Sequence, residues 1–117
     1  MAGIFGDQIN NREQFFEQLS VAEKKCKELL QLHPGEDELV AVQRQFEAIR
    51  RWTDGGRRPT AKERESLDMG LRMFREYETT DDDALAEFRD LVSILHSYME
   101  TWPTDRVAAD PDNDEYL

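Results

Sequence analysis

The chain has 117 residues, enough for one domain with its own core and no metal or disulfide support. It carries 26 acidic and 15 basic residues, a formal net charge of −11, which disfavours binding to nucleic acids and anionic membranes. The single cysteine, Cys26, cannot form an internal disulfide, and no apolar run approaches the roughly 20 residues that span a bilayer. Because the first residues also lack the basic and apolar regions of a signal peptide, we expect a cytoplasmic domain.

Four segments have helical periodicity, and none of useful length has the alternation of a strand. The first predicted helix covers residues 11–32, with Asn10 or Asn11 as its N-cap. Pro34 and Gly35 end it, because proline disfavours helical geometry in the preceding residue and glycine readily reverses the chain. Its apolar stripe, at spacings of three and four, is Phe15, Leu19, Ala22, Cys26 and Leu29.

The second predicted helix begins in an acidic turn, Glu36-Asp37-Glu38, whose charges suit the positive end of the helix dipole. It ends near Trp52, before the breaker Asp54-Gly55-Gly56. Its predicted inner residues are Leu39, Val42, Phe46 and Ile49.

The third predicted helix starts with a capping box, in which Thr60 and Glu63 each bind the other's backbone N–H. We predict one continuous helix up to the turn at Thr79-Thr80. Gly70 lies on the inner side of this helix. Glycine has a lower helix propensity than alanine, and a close crossing with another helix would explain its presence there. The predicted inner face is Leu67, Leu71 and Phe74, with an adjoining stripe of Met69, Met73 and Tyr77.

The fourth predicted helix has Thr80 and Asp83 as a capping pair and ends at Pro103. Its apolar positions are Ala84, Leu85, Phe88, Leu91, Val92, Leu95, Tyr98, Met99 and Trp102. Short connections make consecutive helices antiparallel, so the sequence predicts an all-α fold, a small antiparallel bundle of about four helices over residues 1–102. Residues 103–117 contain five acids and one arginine, and we predict a disordered, flexible acidic C-terminal tail there.

No pattern in the sequence indicates catalysis. His33 and His96 lack a second ligand at helical spacing, and Cys26 on an apolar stripe predicts a buried, inert thiol. Gly55-Gly56 lacks the Lys-Ser/Thr of a phosphate-binding loop. We therefore predict a protein that is not an enzyme and has no metal or cofactor.

Two charged clusters are candidates for binding. The first, the basic cluster, is Arg44, Arg50, Arg51, Arg57 and Arg58. Arginines near a helix C-terminus complement its dipole and solubilise a loop, which accounts for most of this cluster. As a nucleic-acid patch it is small, and the overall charge opposes it, so we predict no nucleic-acid partner.

The second cluster surrounds the turn between the third and fourth predicted helices, and it is acidic. Helix dipoles favour the three aspartates of the turn, but Glu76 and Glu78 lie at the negative end of a helix. Such concentrated charge predicts contact with a basic partner, with Tyr77 and the neighbouring Met73 as apolar anchors. The predicted contact residues of this acidic corner are Glu76, Glu78, Asp81, Asp82, Asp83 and Glu87, with Asp90 beside them.

The order of these features, over residues 33–102, resembles the immunity proteins that neutralise an NAD(P)-hydrolysing toxin delivered by bacterial type VI secretion. The resemblance rests on the Pro34-Gly35 turn, the stretch Gln45-Phe46-Glu47-Ala48-Ile49-Arg50, Gly70, and Glu76-Tyr77-Glu78 followed by Thr80-Asp81. The chain departs from that pattern in the charged loop at residues 55–59 and in the acidic residues after Pro103. The resemblance implies a compact helical protein that binds its cognate toxin domain and blocks the active site.

A different class of function stays open beside it, an acidic regulatory adaptor or nucleic-acid mimic that binds a DNA-handling protein. A mimic should spread carboxylates at phosphate-like intervals along a face, whereas an inhibitor concentrates them beside apolar anchors. The acidic corner is concentrated, which favours the inhibitor.

Overall fold

A computed structural model describes residues 9–102, and within that range it confirms an all-α fold without strands. Residues 1–8 and 103–117 lie outside the described part, and so does the predicted acidic tail. The described elements are α1 (Arg12–Leu32), α2 (Asp37–Trp52), a 3₁₀ turn (Asp54–Gly56), α3 (Ala61–Glu65), α4 (Met69–Tyr77) and α5 (Asp83–Thr101). The four longer helices form the bundle.

Local sequence signals fix the start and end of α1. Asn11 is its N-cap and accepts a hydrogen bond from Gln14 N at 2.8 Å, while Gln14 Oε1 accepts one from Asn10 N at 2.8 Å. The predicted stripe from Phe15 to Leu29 is buried, and the helix ends at Leu32, two residues before Pro34. The prediction for this helix is confirmed.

Contacts between the helices show that neighbours run antiparallel. Cys26 Sγ on α1 donates to Leu39 O on α2 at 3.4 Å, and burial raises the pKa of this thiol to about 11. Phe15 stacks on Tyr98 of α5, with 4.9 Å between ring centroids. Cys26 is thus the buried, inert thiol that its stripe predicts. Because neighbouring helices are antiparallel, turns from different parts of the chain lie together at each end of the bundle.

The third predicted helix is wrong in one respect, because it is two helices. The Thr60–Glu63 capping box is present at the start of α3, but that helix ends at Glu65. α4 begins at Met69, where Gln45 Oε1 on α2 accepts a hydrogen bond from Asp68 N at 3.1 Å. The interruption changes the register of the apolar stripes, because a helical face cannot continue across a non-helical link.

The change of register inverts the predicted faces of α4. Met69, Met73 and Tyr77 are buried, whereas Leu71 and Phe74 are 52% and 54% exposed. Leu67, in the link, is buried as predicted. The inner face of α4 is therefore the stripe predicted to lie beside the core.

Gly70 allows α4 and α5 to cross closely, as the sequence predicts. A Cβ at this position would lie 3.0 Å from His96 Cγ and 3.1 Å from His96 Cβ. Gly70 N donates to His96 Nδ1 at 3.3 Å, and His96 Nε2 lies 3.6 Å from Glu100 Oε2. His96 is a histidine at the edge of the core, held between two helices.

We expect Gly70→Ala to lower the free energy of unfolding by about 1–2 kcal/mol, although alanine has the higher helix propensity. The new methyl group meets the base of the His96 side chain, which cannot swing away from α5. Gly35→Ala is the control, because no heavy atom lies within 4 Å of its added Cβ. Urea unfolding monitored by circular dichroism measures both, and a Gly70→Ala protein more stable than wild type would contradict the close crossing.

Candidate protein-binding surface

Two turns of the chain meet at one end of the bundle. His33 Nε2, between α1 and α2, lies 4.0 Å from Asp82 Oδ2, between α4 and α5. Arg72 Nη1 on α4 lies 3.0 Å from Glu38 Oε1 in the first turn of α2. We call this region the acidic end; it consists of Glu36, Asp37, Glu38, Glu76, Glu78, Asp81, Asp82, Asp83, Glu87 and Asp90.

The structure brings together the carboxylates that the sequence predicts as a contact region. All six predicted acidic residues from Glu76 to Glu87, and Asp90, are exposed. The acidic turn of α2, with Glu36 and Glu38, lies beside them, which the sequence analysis missed. Its proximity follows only from antiparallel packing of helices far apart in the chain.

One of these carboxylates has a structural role. Asp82 is the N-cap of α5, and its Oδ1 accepts hydrogen bonds from Ala84 N at 2.9 Å and Leu85 N at 3.2 Å. Thr80 Oγ1 instead accepts from Asp82 N at 3.1 Å, a local turn bond. The predicted capping pair Thr80–Asp83 is therefore wrong, because Asp82 is the N-cap and the helix begins at Asp83, three residues after Thr80.

Arg89 offsets part of the negative charge at this end. Its Nη1 donates to Tyr77 O at 2.8 Å and to Glu78 O at 3.2 Å, the last carbonyls of α4, and its Nε donates to Asp90 Oδ1 at 3.0 Å. A cation at a helix C-terminus stabilises it, so Glu76 and Glu78 are tolerated there. No local pattern marks this role, because Arg89 lies 12 residues after Tyr77.

The two predicted apolar anchors are wrong. Met73 is 0% exposed and Tyr77 is 5% exposed, so neither side chain reaches a partner while the bundle stays folded. Burial, with the nearby carboxylates of Glu36, Glu76 and Glu38, raises the pKa of the Tyr77 hydroxyl far above its usual value. Both residues therefore belong to the buried core next to the acidic end and not to its exposed surface.

Exposed apolar side chains do lie at or beside the acidic end. Leu32, the last residue of α1, is 72% exposed directly before the turn at His33. On α4, Leu71 and Phe74 are about half exposed and share a face with Glu78, because these positions are three and four residues apart. Large exposed apolar side chains next to concentrated charge are typical of protein interfaces.

The described range contains neither a metal-ligand cluster nor a membrane-spanning helix. Among residues 9–102 there is no group of three or more His, Cys, Asp or Glu side chains that could hold a metal ion. No helix in that range combines the length and apolarity needed to cross a bilayer.

No protein-family model, curated protein or solved structure matches this chain.

Proposed function

We propose that this chain is an immunity protein, which binds a cognate secreted toxin domain and blocks its active site. The observation that supports this proposal is the acidic end, where seven exposed carboxylates between Glu76 and Asp90 surround one turn, with Leu71 and Phe74 on the adjoining helix face. The resemblance over residues 33–102 supports a toxin that acts on NAD(P)⁺ or another nucleotide. The protein acts by occlusion and needs no catalytic group.

Charge complementarity indicates which kind of protein surface binds the acidic end. A toxin that binds a phosphate-bearing nucleotide has a cleft rich in cations or hydrogen-bond donors, and carboxylates can occupy the phosphate positions. Attraction between the two surfaces speeds encounter, while apolar contacts such as Phe74 slow dissociation. These two contributions require charged and apolar groups on the same surface.

The adaptor or nucleic-acid mimic fits the distribution of charge less well. A mimic needs carboxylates along an extended face, but the acidic end is confined to two turns and the ends of three helices. The opposite end of the bundle carries arginines, including Arg12, Arg57 and Arg58. A surface that presents both charges in separate regions does not imitate a continuous phosphate backbone.

The test starts from the genes that flank the gene of this chain: a toxin domain encoded there is co-expressed with the chain, and binding is measured on the purified pair. Wild type should restore growth and form a stable complex. The triple variant Glu78→Lys, Asp81→Lys, Glu87→Lys should weaken binding by about 100-fold, roughly 1 kcal/mol for each reversal, and abolish protection. This set avoids the helix cap Asp82 and the Arg89 partner Asp90.

The matched control is Glu17→Lys, Glu47→Lys, Glu65→Lys, which changes the net charge equally at exposed positions outside the acidic end. It should protect as wild type does, and both triple variants should keep the same helical circular dichroism. Full protection by the acidic-end variant would overturn the proposed contact surface. Failure of the wild-type chain to bind the toxin would overturn the proposed function itself.

A further inference from the structure

The end of the bundle opposite the acidic end contains a cleft of about 240 Å³. It is lined by the start of α1, the loop after α2 and the end of α5. Of the described residues that line it, three are arginines, Arg12, Arg57 and Arg58, two are the aromatic residues Phe16 and Trp102, and none is acidic. In a chain with a net charge of −11, this is a local concentration of positive charge.

Aromatic rings form one wall of the cleft and hold two cations in place. Arg12 Cζ lies 4.6 Å from the Trp102 ring centroid, and Arg50 Cζ lies 5.6 Å from that of Phe16. The two rings also meet edge to face, with 6.3 Å between their centroids. The geometry of the cleft is therefore set by packed rings rather than by exposed side chains alone.

Two of the nearby arginines are paired within the bundle. Arg57 Nη2 lies 2.7 Å from Glu63 Oε2, and Arg50 Nη2 lies 2.9 Å from Glu23 Oε1. Arg58 also has a partner, because its Nη2 donates to Trp102 O at 3.4 Å. Its guanidinium thus lies at the last carbonyl of the described chain.

Trp102, the last described residue, lines this cleft. Its backbone is left-handed, with φ 42° and ψ 64°, and its N–H donates to Tyr98 O at 2.7 Å. A tryptophan adopts this conformation only when its surroundings hold it, and here Phe15 and Tyr98 each lie 5.4 Å from its ring. The chain therefore leaves α5 at the rim of an arginine-rich cleft.

We propose that this cleft binds carboxylate side chains of residues 103–117 of the same chain. That segment carries five acids and one arginine, and its first acid, Asp105, comes three residues after Trp102. Fifteen residues can span roughly 50 Å, so reach does not limit the contact. Because the segment is covalently attached, its effective concentration at the cleft is about millimolar, so a contact with a dissociation constant of about 1 mM is half populated.

The segment also explains two members of the basic cluster, Arg57 and Arg58, better than a helix dipole does. Arg57 and Arg58 follow the 3₁₀ turn rather than α2, so their charges lie beyond the last turn of that helix. Their position beside Trp102 matches the point from which the acidic segment starts. The cleft is then occupied by the chain itself, and a separate ligand is not needed.

The experiment uses full-length protein with Trp52→Phe, which leaves Trp102 as the single tryptophan and the fluorescent reporter. It compares this chain with a version that also carries Asp105→Asn, Asp110→Asn, Asp112→Asn, Asp114→Asn and Glu115→Gln. We expect neutralisation to shift Trp102 emission to the red and to raise its quenching constant with acrylamide. High salt should abolish the difference, because the contact is ionic. A synthetic peptide of residues 103–117 should reverse the change when added to the neutralised protein.

Two controls test whether the acidic segment, and not another change in charge, causes the shift in Trp102 emission. Neutralising five exposed glutamates elsewhere (Glu17, Glu28, Glu47, Glu65 and Glu87, each to Gln) should leave Trp102 emission unchanged. Arg58→Gln should reproduce the effect of neutralising the segment, and the two changes together should add nothing further. Identical Trp102 emission and quenching in the neutralised and parent chains would overturn the proposal. A response to inorganic phosphate but not to the peptide would overturn it too, and would assign the cleft to a separate anion.

Discussion

Met73→Ala is expected to lower the free energy of unfolding by about 2–5 kcal/mol, whereas Phe74→Ala, the next residue of α4, should change it by less than about 0.5 kcal/mol. Met73 is completely buried, so its truncation removes transfer free energy and leaves a cavity. Phe74 is more than half exposed, and alanine there favours the helix.

Urea unfolding followed by circular dichroism measures both variants, with Met73→Leu as the control that keeps volume and apolarity. A larger loss for Phe74→Ala than for Met73→Ala would restore the face predicted from the sequence. The same pair separates stability from binding. Phe74→Ala should weaken the toxin complex while the free protein stays stable, because truncated interface aromatics raise the dissociation rate.

The α4 face shows where sequence reasoning stops. Leu67, Leu71 and Phe74 are as apolar as Met69, Met73 and Tyr77, so periodicity alone cannot decide which stripe is buried. The break before α4 contains neither glycine nor proline. Within it, Asp68 N donates a hydrogen bond to Gln45, a residue 23 positions away.

Several features that depend on residues close together in the sequence were predicted correctly. The start of α1 follows from Asn11 and the Thr60–Glu63 box from residues three apart, since capping involves only neighbours in the chain. Gly70 also predicted its close crossing, because a glycine within a helical stripe lacks another structural reason. These features require no knowledge of the partner helix.

The candidate surface likewise has some features that follow from neighbouring residues in the sequence and others that depend on how the helices pack. Exposure of the acidic residues was predictable, because charged side chains at a turn avoid the core. The nearness of the α2 acidic turn, the role of Arg89 and the burial of Tyr77 all depend on which helices pack together. Glu36 and Thr53 lie at opposite ends of the 16-residue helix α2, and only the folded bundle shows which end of that helix adjoins the acidic corner.

Phe88→Ala is expected to destabilise the protein by about 3–5 kcal/mol, a large part of the 5–15 kcal/mol typical of a small domain. Phe88 is fully buried on α5, the helix that packs against α1, α3 and α4. Its ring meets that of Phe46 on α2 edge to face, with 6.3 Å between centroids. The pair thus connects α2 with α5, and truncation leaves a cavity where these helices meet.

Thermal and urea unfolding of Phe88→Ala, Phe46→Ala and the double variant test this arrangement. Because both rings border one cavity, the double variant should lose less stability than the sum of the single variants. Phe88→Leu, which keeps most of the volume, should cost less than about 1.5 kcal/mol. A loss below about 1 kcal/mol for Phe88→Ala would mean that this ring is not central to the core. The acidic end would then need another support, because α5 supplies both its helix cap and Arg89.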